Sequence, residues 1–114
     1  MNKTQEYELT VVVPVYNEVE SLPRVERAMR EWLPTSPVKA CVLMVNDGSK
    51  DGSLELMREI CARNEAMFYI SLAKNGGLSA AMKAGIDATE SRYVGYIDAD
   101  LQTTPEDFNL LLEH

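Results

Sequence analysis

The sequence predicts an α/β fold, in which alternating β-α units form a mainly parallel sheet with helices on both faces. Three observations predict it: short apolar, β-branched runs recur along the chain, amphipathic stretches of helical spacing follow them, and the links between are short. Strands separated by crossover helices pair in parallel, because each helix carries the chain back to the same end of the sheet. Pattern alone leaves the order of the strands open.

The elements follow in turn. Residues 9–15 (LTVVVPV) are a continuous apolar run, as expected of a strand buried on both faces. Leu22, Val25, Met29 and Trp32 then recur at helical spacing, with Pro23 tolerated in the first turn and Pro34 and Pro37 stopping the helix. Residues 40–45 (ACVLMV) read as a second buried strand that runs into Asn46-Asp47-Gly48-Ser49, a turn by composition. Ser53 is expected to cap a helix carrying Leu54, Met57, Ile60 and Cys61. Residues 66–72 predict a third strand, expected to be buried like the first two and like the fourth that follows. The glycine loop Lys74-Asn75-Gly76-Gly77 feeds a helix with an apolar stripe of Leu78, Ala81, Met82, Gly85, Ile86 and Thr89. Gly85 inside that stripe points to close backbone packing. Residues 93–97 predict a fourth strand ending in Asp98-Ala99-Asp100, after which Thr104, Pro105 and Asp107 open a last helix.

Composition bounds the function. At 114 residues the chain is at most one compact unit, and 46% hydrophobic with 25% charged residues is ordinary for a folded domain. Eleven basic against 18 acidic residues give a net charge of −7, which argues against a nucleic-acid partner held by phosphate contacts and favours divalent cations as guests. The single histidine is His114, so no internal imidazole serves a catalytic triad or a histidine-rich zinc site. Cys41 and Cys61 lie in apolar stretches without CxxC spacing and read as buried structural thiols of a reducing compartment. No apolar run is long enough to span a bilayer, and Met1 to Glu8 is too polar for a secretory leader, so the expected location is cytoplasmic. The pattern stops inside a helix, which predicts an N-terminal piece of a longer protein. Its ending Leu112-Glu113-His114 is either native or the beginning of a purification tag.

In open α/β sheets the ligand crevice lies outside the carboxyl ends of the strands. The residues there are Pro14, Tyr16, Asn17 and Glu18, then Asn46 and Asp47, then Lys74 to Gly77, then Asp98, Asp100 and Gln102. Carboxylates gathered at one edge repel each other unless a cation joins them, and hard oxygen ligands suit Mg²⁺ or Mn²⁺. Asp98 and Asp100 flank one small residue and can turn toward one metal on a diphosphate; the competing reading is an acidic loop that caps the next helix. Asp47 either binds a base or ribose or makes an Asx-turn with Gly48. Tyr16 either stacks on a base or packs half-buried. Glu18 is either a site residue or a favourable charge at a helix start. The amides and lysine of the glycine loop either meet phosphate or make a plain turn.

Taken together, these blocks resemble family 2 glycosyltransferases. The resemblance is carried by Val12-Val13-Pro14-Val15-Tyr16-Asn17-Glu18, by Asn46-Asp47-Gly48-Ser49-Lys50-Asp51-Gly52-Ser53, by NGGLSAAMKAGIDA from Asn75, and by YIDADLQ from Tyr96. The last block, with Thr104-Pro105-Glu106 behind it, is most similar to the dolichol- and polyprenyl-phosphate sugar transferase branch. The resemblance implies the nucleotide-binding half of a GT-A fold across residues 1–114, and inverting sugar transfer from a UDP- or GDP-sugar to a lipid phosphate or a saccharide. It implies that Pro14, Tyr16, Asn17, Glu18, Val45, Asp47 and Lys74 bind the donor. It places Asp98, Ala99 and Asp100 at the diphosphate, with Asp98, Asp100 and Gln102 around Mg²⁺ or Mn²⁺. No catalytic residue is expected within the chain: a lipid phosphate is already anionic, whereas a hydroxyl acceptor requires a carboxylate base, which in the family lies beyond the fourth strand. The 114 residues alone are therefore expected to transfer no sugar, and their open sheet edge is expected to pair with a second copy. A membrane-associated whole protein on the cytoplasmic face fits the lipid acceptor.

Two other classes fit less well. A receiver-type signalling domain is also small, acidic and Mg²⁺-binding, but needs an acidic pair after the first strand and an acceptor aspartate after the third. Tyr16-Asn17-Glu18 and Lys74-Asn75 stand there instead. A dinucleotide-binding oxidoreductase lacks its GxGxxG after the first strand.

Overall fold

The computed structural model describes residues 6–97. Its elements are β1 (Leu9–Val15), α1 (Leu22–Trp32), a short 3-10 turn (Leu33–Thr35), β2 (Ala40–Asn46), α2 (Ser53–Arg63), β3 (Met67–Ser71), α3 (Leu78–Ala88) and β4 (Tyr93–Tyr96). The strands form one sheet in the order β3-β2-β1-β4, and every pairing is parallel. The expected α/β class is therefore the observed one, with strand ends within a residue or so of the predicted bounds.

Handedness decides which face each helix covers. The chain steps from β1 to β2 to β3 in one direction, so right-handed crossovers place α1 and α2 on the same face. It then returns from β3 across β2 and β1 to β4, which puts α3 on the other. The alternation of side chains along β1 supplies both cores. Leu9, Val11, Val13 and Val15 pack with Leu22, Val25, Met29 and Trp32 of α1 and with Met57 and Ile60 of α2. Val12 points the other way, joining Leu43, Val45 and Ala81 beneath α3. Gly85 makes that second layer thin: a Cβ there would stand 2.5 Å from Val12 Cγ1 and 3.2 Å from Val45 Cγ2. The close packing expected of this glycine is what the structure has.

Four expectations need correction. β1 and β2 are buried almost throughout, but the edge strands β3 and β4 alternate between buried or half-buried and exposed positions. Among the described residues each has a neighbour on one side only. The stripe of α3 is rotated from the expected one: Ala81 and Gly85 are buried, whereas Leu78 and Ile86 are exposed. Small residues face the sheet because the helix lies so close to it. Leu78, Met82 and Ile86 instead line an open groove of about 460 Å³ with Tyr96. Ser53 does not cap α2; the helix starts after Gly52, and Asp51 Oδ1 accepts the Ser53 N–H at 2.9 Å. The hydroxyl of Ser53 is turned instead to the first loop. Finally, Cys61 is only partly buried, whereas Cys41 is fully so. Burial pushes both thiols up to about 11, so neither is a thiolate at neutral pH.

On the α1–α2 face a polar clamp ties the helices. Arg63 Nε and Nη2 donate to Glu26 Oε2 and Oε1 at 2.7 and 2.8 Å, and Asn64 Nδ2 donates to Oε2 at 2.7 Å. The hydrogen bonds from Arg63 hold the Glu26 carboxyl below its ordinary value, against the opposing effect of burial. A depressed carboxyl stabilises the fold above its unfolded pKa and loses that contribution as pH falls through the folded one. An Arg63→Met variant is therefore expected to be less stable than the parent at pH 7, with the gap narrowing below pH ~4. Urea unfolding at both pH values measures it, and a gap independent of pH would contradict the clamp. Gly85→Val should lower the unfolding free energy by about 1–3 kcal/mol or more through overpacking against Val12. An unchanged urea midpoint would show that α3 is free to lift away.

Candidate functional site

The sheet order places the topological switch between β1 and β4, since the connection from β1 runs to β2 on one side and β4 arrives over the opposite face. The crevice of such a sheet lies at that point, beyond the strand carboxyl ends. Pro14 shapes it. Glu8 and Val12 use their carbonyls toward β4, accepting from Tyr93 N and Ile97 N, while Val15 O accepts from Asp47 N beside β2. Alternation along β1 thus turns the backbone of Pro14 toward β4, and proline has no N–H to continue that ladder. Among the described residues the register of β1 with β4 runs from Leu9–Tyr93 to Val12–Tyr96, and that of β1 with β2 from Leu9–Ala40 to Val15–Asn46. Pro14 is half-buried near the carboxyl end of β1.

Beyond the strands, short polar side chains stitch the first two loops together. Asn17 adopts a left-handed backbone, φ 52°, which asparagine tolerates better than most residues. Its N–H donates to Ser49 Oγ at 2.9 Å and its Oδ1 accepts the Lys50 N–H at 2.8 Å. Glu18 N donates to Ser53 Oγ at 3.0 Å, and Val19 N to Asp51 Oδ2 at 3.3 Å. Asn46 links the second loop to itself and to β3: its Oδ1 accepts the Ser49 N–H, and its Nδ2 donates to Ser71 Oγ.

The third loop is bound to Asp47. The carboxylate accepts the Gly76 N–H on Oδ1 at 2.8 Å, and the Gly77 N–H and Asn75 Nδ2 on Oδ2, both at 3.0 Å. Asn75 Nδ2 also lies 3.1 Å from the Asp47 carbonyl. Asp47 is 3% exposed, buried against the loop. Of the two readings of the glycine amides, the structure has the turn, since an internal carboxylate already occupies them. Gly77, at φ 90°, is the N-cap of α3, where the helix dipole favours a negative charge.

The predicted donor residues thus occupy distinct environments. Tyr16, Asn17 and Lys74 are exposed and Glu18 is half-buried. Among the described residues the side chains of Tyr16, Glu18 and Lys74 make no hydrogen bond or ion pair that would commit them elsewhere. Val45 is fully buried under α3, with no surface at the crevice. Asp98, Ala99, Asp100 and Gln102 lie outside the described residues. No group of three or more His, Cys, Asp or Glu among the described residues could hold a metal ion. Sequence reasoning missed the framework roles of Asn46, Ser49, Asp51, Ser53 and Asn75. Their signal was the density of Asn, Asp and Ser just past two strands, where such side chains hydrogen-bond to backbone.

Comparisons with known proteins place the fold and the family. The chain is 36% identical over 114 residues to the undecaprenyl-phosphate 4-deoxy-4-formamido-L-arabinose transferase of Aeromonas hydrophila, covering 99% of this chain and 35% of that protein. It is 38% identical over 105 residues to the dodecaprenyl-phosphate galacturonate synthase of Rhizobium johnstonii, covering 90% of this chain and 31% of that one. The chain therefore spans about a third of the length of these curated relatives. In fold it is similar to the mannosyltransferase PcManGT of Pyrobaculum calidifontis, solved with GDP-Man and Mn²⁺, with a TM-score of 0.72 at 22% identity over 82% of this chain and 28% of that one. The Staphylococcus aureus TarS structure with UDP gives 0.65 at 22% identity, over 82% of this chain and 27% of that one. Among the described residues no helix is long and apolar enough to cross a membrane. The model of glycosyl transferase family 2 matches residues 10–114, and the chain belongs to that family.

Proposed function

We propose that the whole protein transfers a sugar, with inversion, from a UDP- or GDP-sugar to a polyprenyl phosphate at the cytoplasmic face of a membrane, and that this chain binds the donor. The observation that carries the reading is the hydrogen-bonded carboxyl edge of the sheet beside the β1–β4 switch, where three of the family-like blocks converge. Tyr16 offers an exposed aromatic face to the base, and Lys74 an uncommitted ammonium to the diphosphate. Relatives that carry undecaprenyl or dodecaprenyl phosphate in their names support the lipid acceptor. Its phosphate oxygen is already anionic, so no general base need stand in this chain.

Asp98, Asp100 and Gln102 would hold a divalent cation, a donor set of hard oxygens that suits Mg²⁺ or Mn²⁺. The chemistry such an ion supplies is neutralisation of charge on the departing nucleotide diphosphate. The Mn²⁺ bound in the structural relative supports it. Calorimetric titration of the full-length protein with UDP and GDP, with Mn²⁺ or with chelator, tests both parts. Metal is expected to tighten one nucleotide about tenfold or more, equivalent to about 1.4 kcal/mol. Equal affinity with and without metal removes the ion from the proposal, and no binding of either nucleotide removes the donor site.

A further inference from the structure

Asn75-Gly76 is the only asparagine–glycine pair in the chain. Such a pair is chemically labile. Glycine carries no Cβ to shield its backbone nitrogen, so that nitrogen can reach the carboxamide carbon of the preceding asparagine. Here the fold engages both reacting groups elsewhere. Gly76 N–H donates to Asp47 Oδ1 at 2.8 Å, while Asn75 Nδ2 donates to Asp47 Oδ2 at 3.0 Å and to the Asp47 carbonyl at 3.1 Å. The nucleophile and the amide it would attack are thus tied to one residue just past β2. The loop backbone is confined as well: a Cβ on Gly48 would stand 2.4 Å from Asn75 N and 2.7 Å from Lys74 C. Packing also retains the labile pair. Asn75 supplies its side-chain bonds to Asp47, and a Cβ on residue 76 would stand 2.8 Å from Ala80 Cβ. Asn75 and Gly76 are both exposed, so water reaches them.

We propose that Asn75 is a deamidation site kept closed by Asp47, and that its modification releases loop 74–77 irreversibly. When the loop opens, Gly76 N gives its proton to solvent base and bonds to Asn75 Cγ. The Cγ–Nδ2 bond breaks, Nδ2 leaves as ammonia after taking a proton back from solvent, and a cyclic imide joins the two residues. Water then adds to one imide carbonyl and opens the ring, leaving an aspartate or an isoaspartate at position 75. The net change is one water consumed and one ammonia released, with nothing oxidised or reduced, and no ligand takes part. The product cannot close as before. Its side chain has no N–H to offer Asp47, and its carboxylate stands against a buried one, where like charges repel. Gly77 is the N-cap of α3, so the release reaches the start of that helix.

The test incubates the full-length protein in mildly alkaline buffer and follows conversion at Asn75 by peptide mass mapping, beside a synthetic peptide of residues 70–80. The peptide lacks Asp47 and should convert fastest. Conversion in the intact protein is expected to be at least about tenfold slower, equivalent to about 1.4 kcal/mol of closure. Asp47→Ala removes the acceptor and should recover most of that difference while circular dichroism shows the protein folded. If this variant fails to fold, hydrogen exchange in the unaltered protein takes its place. Both reactions need the same opening, so exchange of the Gly76 N–H should be slowed by a factor similar to that for conversion; a mismatch would overturn the closure. Asn75→Asp, which carries one of the products, should quicken amide exchange at Gly76 and Gly77. Conversion in the folded protein as fast as in the peptide would likewise overturn the closure. Conversion in folded Asp47→Ala as slow as in the unaltered protein would overturn the part given to Asp47. Unchanged exchange in Asn75→Asp would overturn the release, and a peptide that does not convert would remove the site altogether.

Discussion

A carboxylate as buried as that of Asp47 must be met by donors, because an unpaired charge withdrawn from water costs several kcal/mol. Here the donors are mainly backbone N–H groups, which cannot move without moving the chain. Seating Gly76 and Gly77 on Asp47 therefore dictates how the loop after β3 approaches the end of β2, and Gly77 supplies the positive φ needed to turn from it into α3. Once the start of α3 is fixed, so is its course over β1 and β2. Gly85, two turns on, then meets Val12 and Val45 at a distance only glycine permits. One carboxylate at a strand end thus ties the loop, the helix and the second core layer.

The other two loops are held by the same kind of bond without a buried charge. Asn17, Ser49, Asp51 and Ser53 are short side chains, able to reach a backbone group in a neighbouring loop at small entropic cost. The longer side chains at the edge, Tyr16, Glu18 and Lys74, take no part in the framework. A rigid edge built by short polar groups and carrying uncommitted long ones is a suitable ligand surface, since the framework is ordered before the ligand arrives. The cysteines stand apart from this chemistry. Their thiols are raised by burial in the body of the fold, so a covalent intermediate on sulfur has no basis here.

Much of this was legible in the sequence. The runs 9–15 and 40–45 were read as strands covered on both faces, and the structure places both at the centre of the sheet. The depth of β3 and β4 was not legible, since the exposure of Tyr69, Val94 and Tyr96 goes with a place at the edge of the described sheet, and pattern does not encode strand order. The stripe of α3 was read from helical spacing, and it held both the small residues Ala81 and Gly85 and the large ones Leu78 and Ile86. Only the small ones are buried, because the helix sits so close to the sheet. Ser53 carried a capping signal at the right distance from its helix, and a tertiary bond to Glu18 N took the hydroxyl. Asp47 and the glycine loop were both picked out, but as two parts facing a ligand. That they face one another is a contact across 28 to 30 residues, and no local spacing reveals it.

Pro14 shows how a single residue can belong to both the fold and the site. A proline in a central strand ordinarily argues against that strand, because it leaves a neighbour without a donor. In β1 it falls one step past Val12, whose carbonyl accepts Ile97 N in the last hydrogen bond made to the β4 segment among the described residues. The strand loses nothing on the β2 side, where Val15 O still accepts Asp47 N. On the β4 side the ladder has no donor at position 14. Proline at position 14 therefore costs the sheet nothing where Asp47 is anchored, and it presents no donor on the side that faces β4. The imino acid fixes that difference through covalent structure alone.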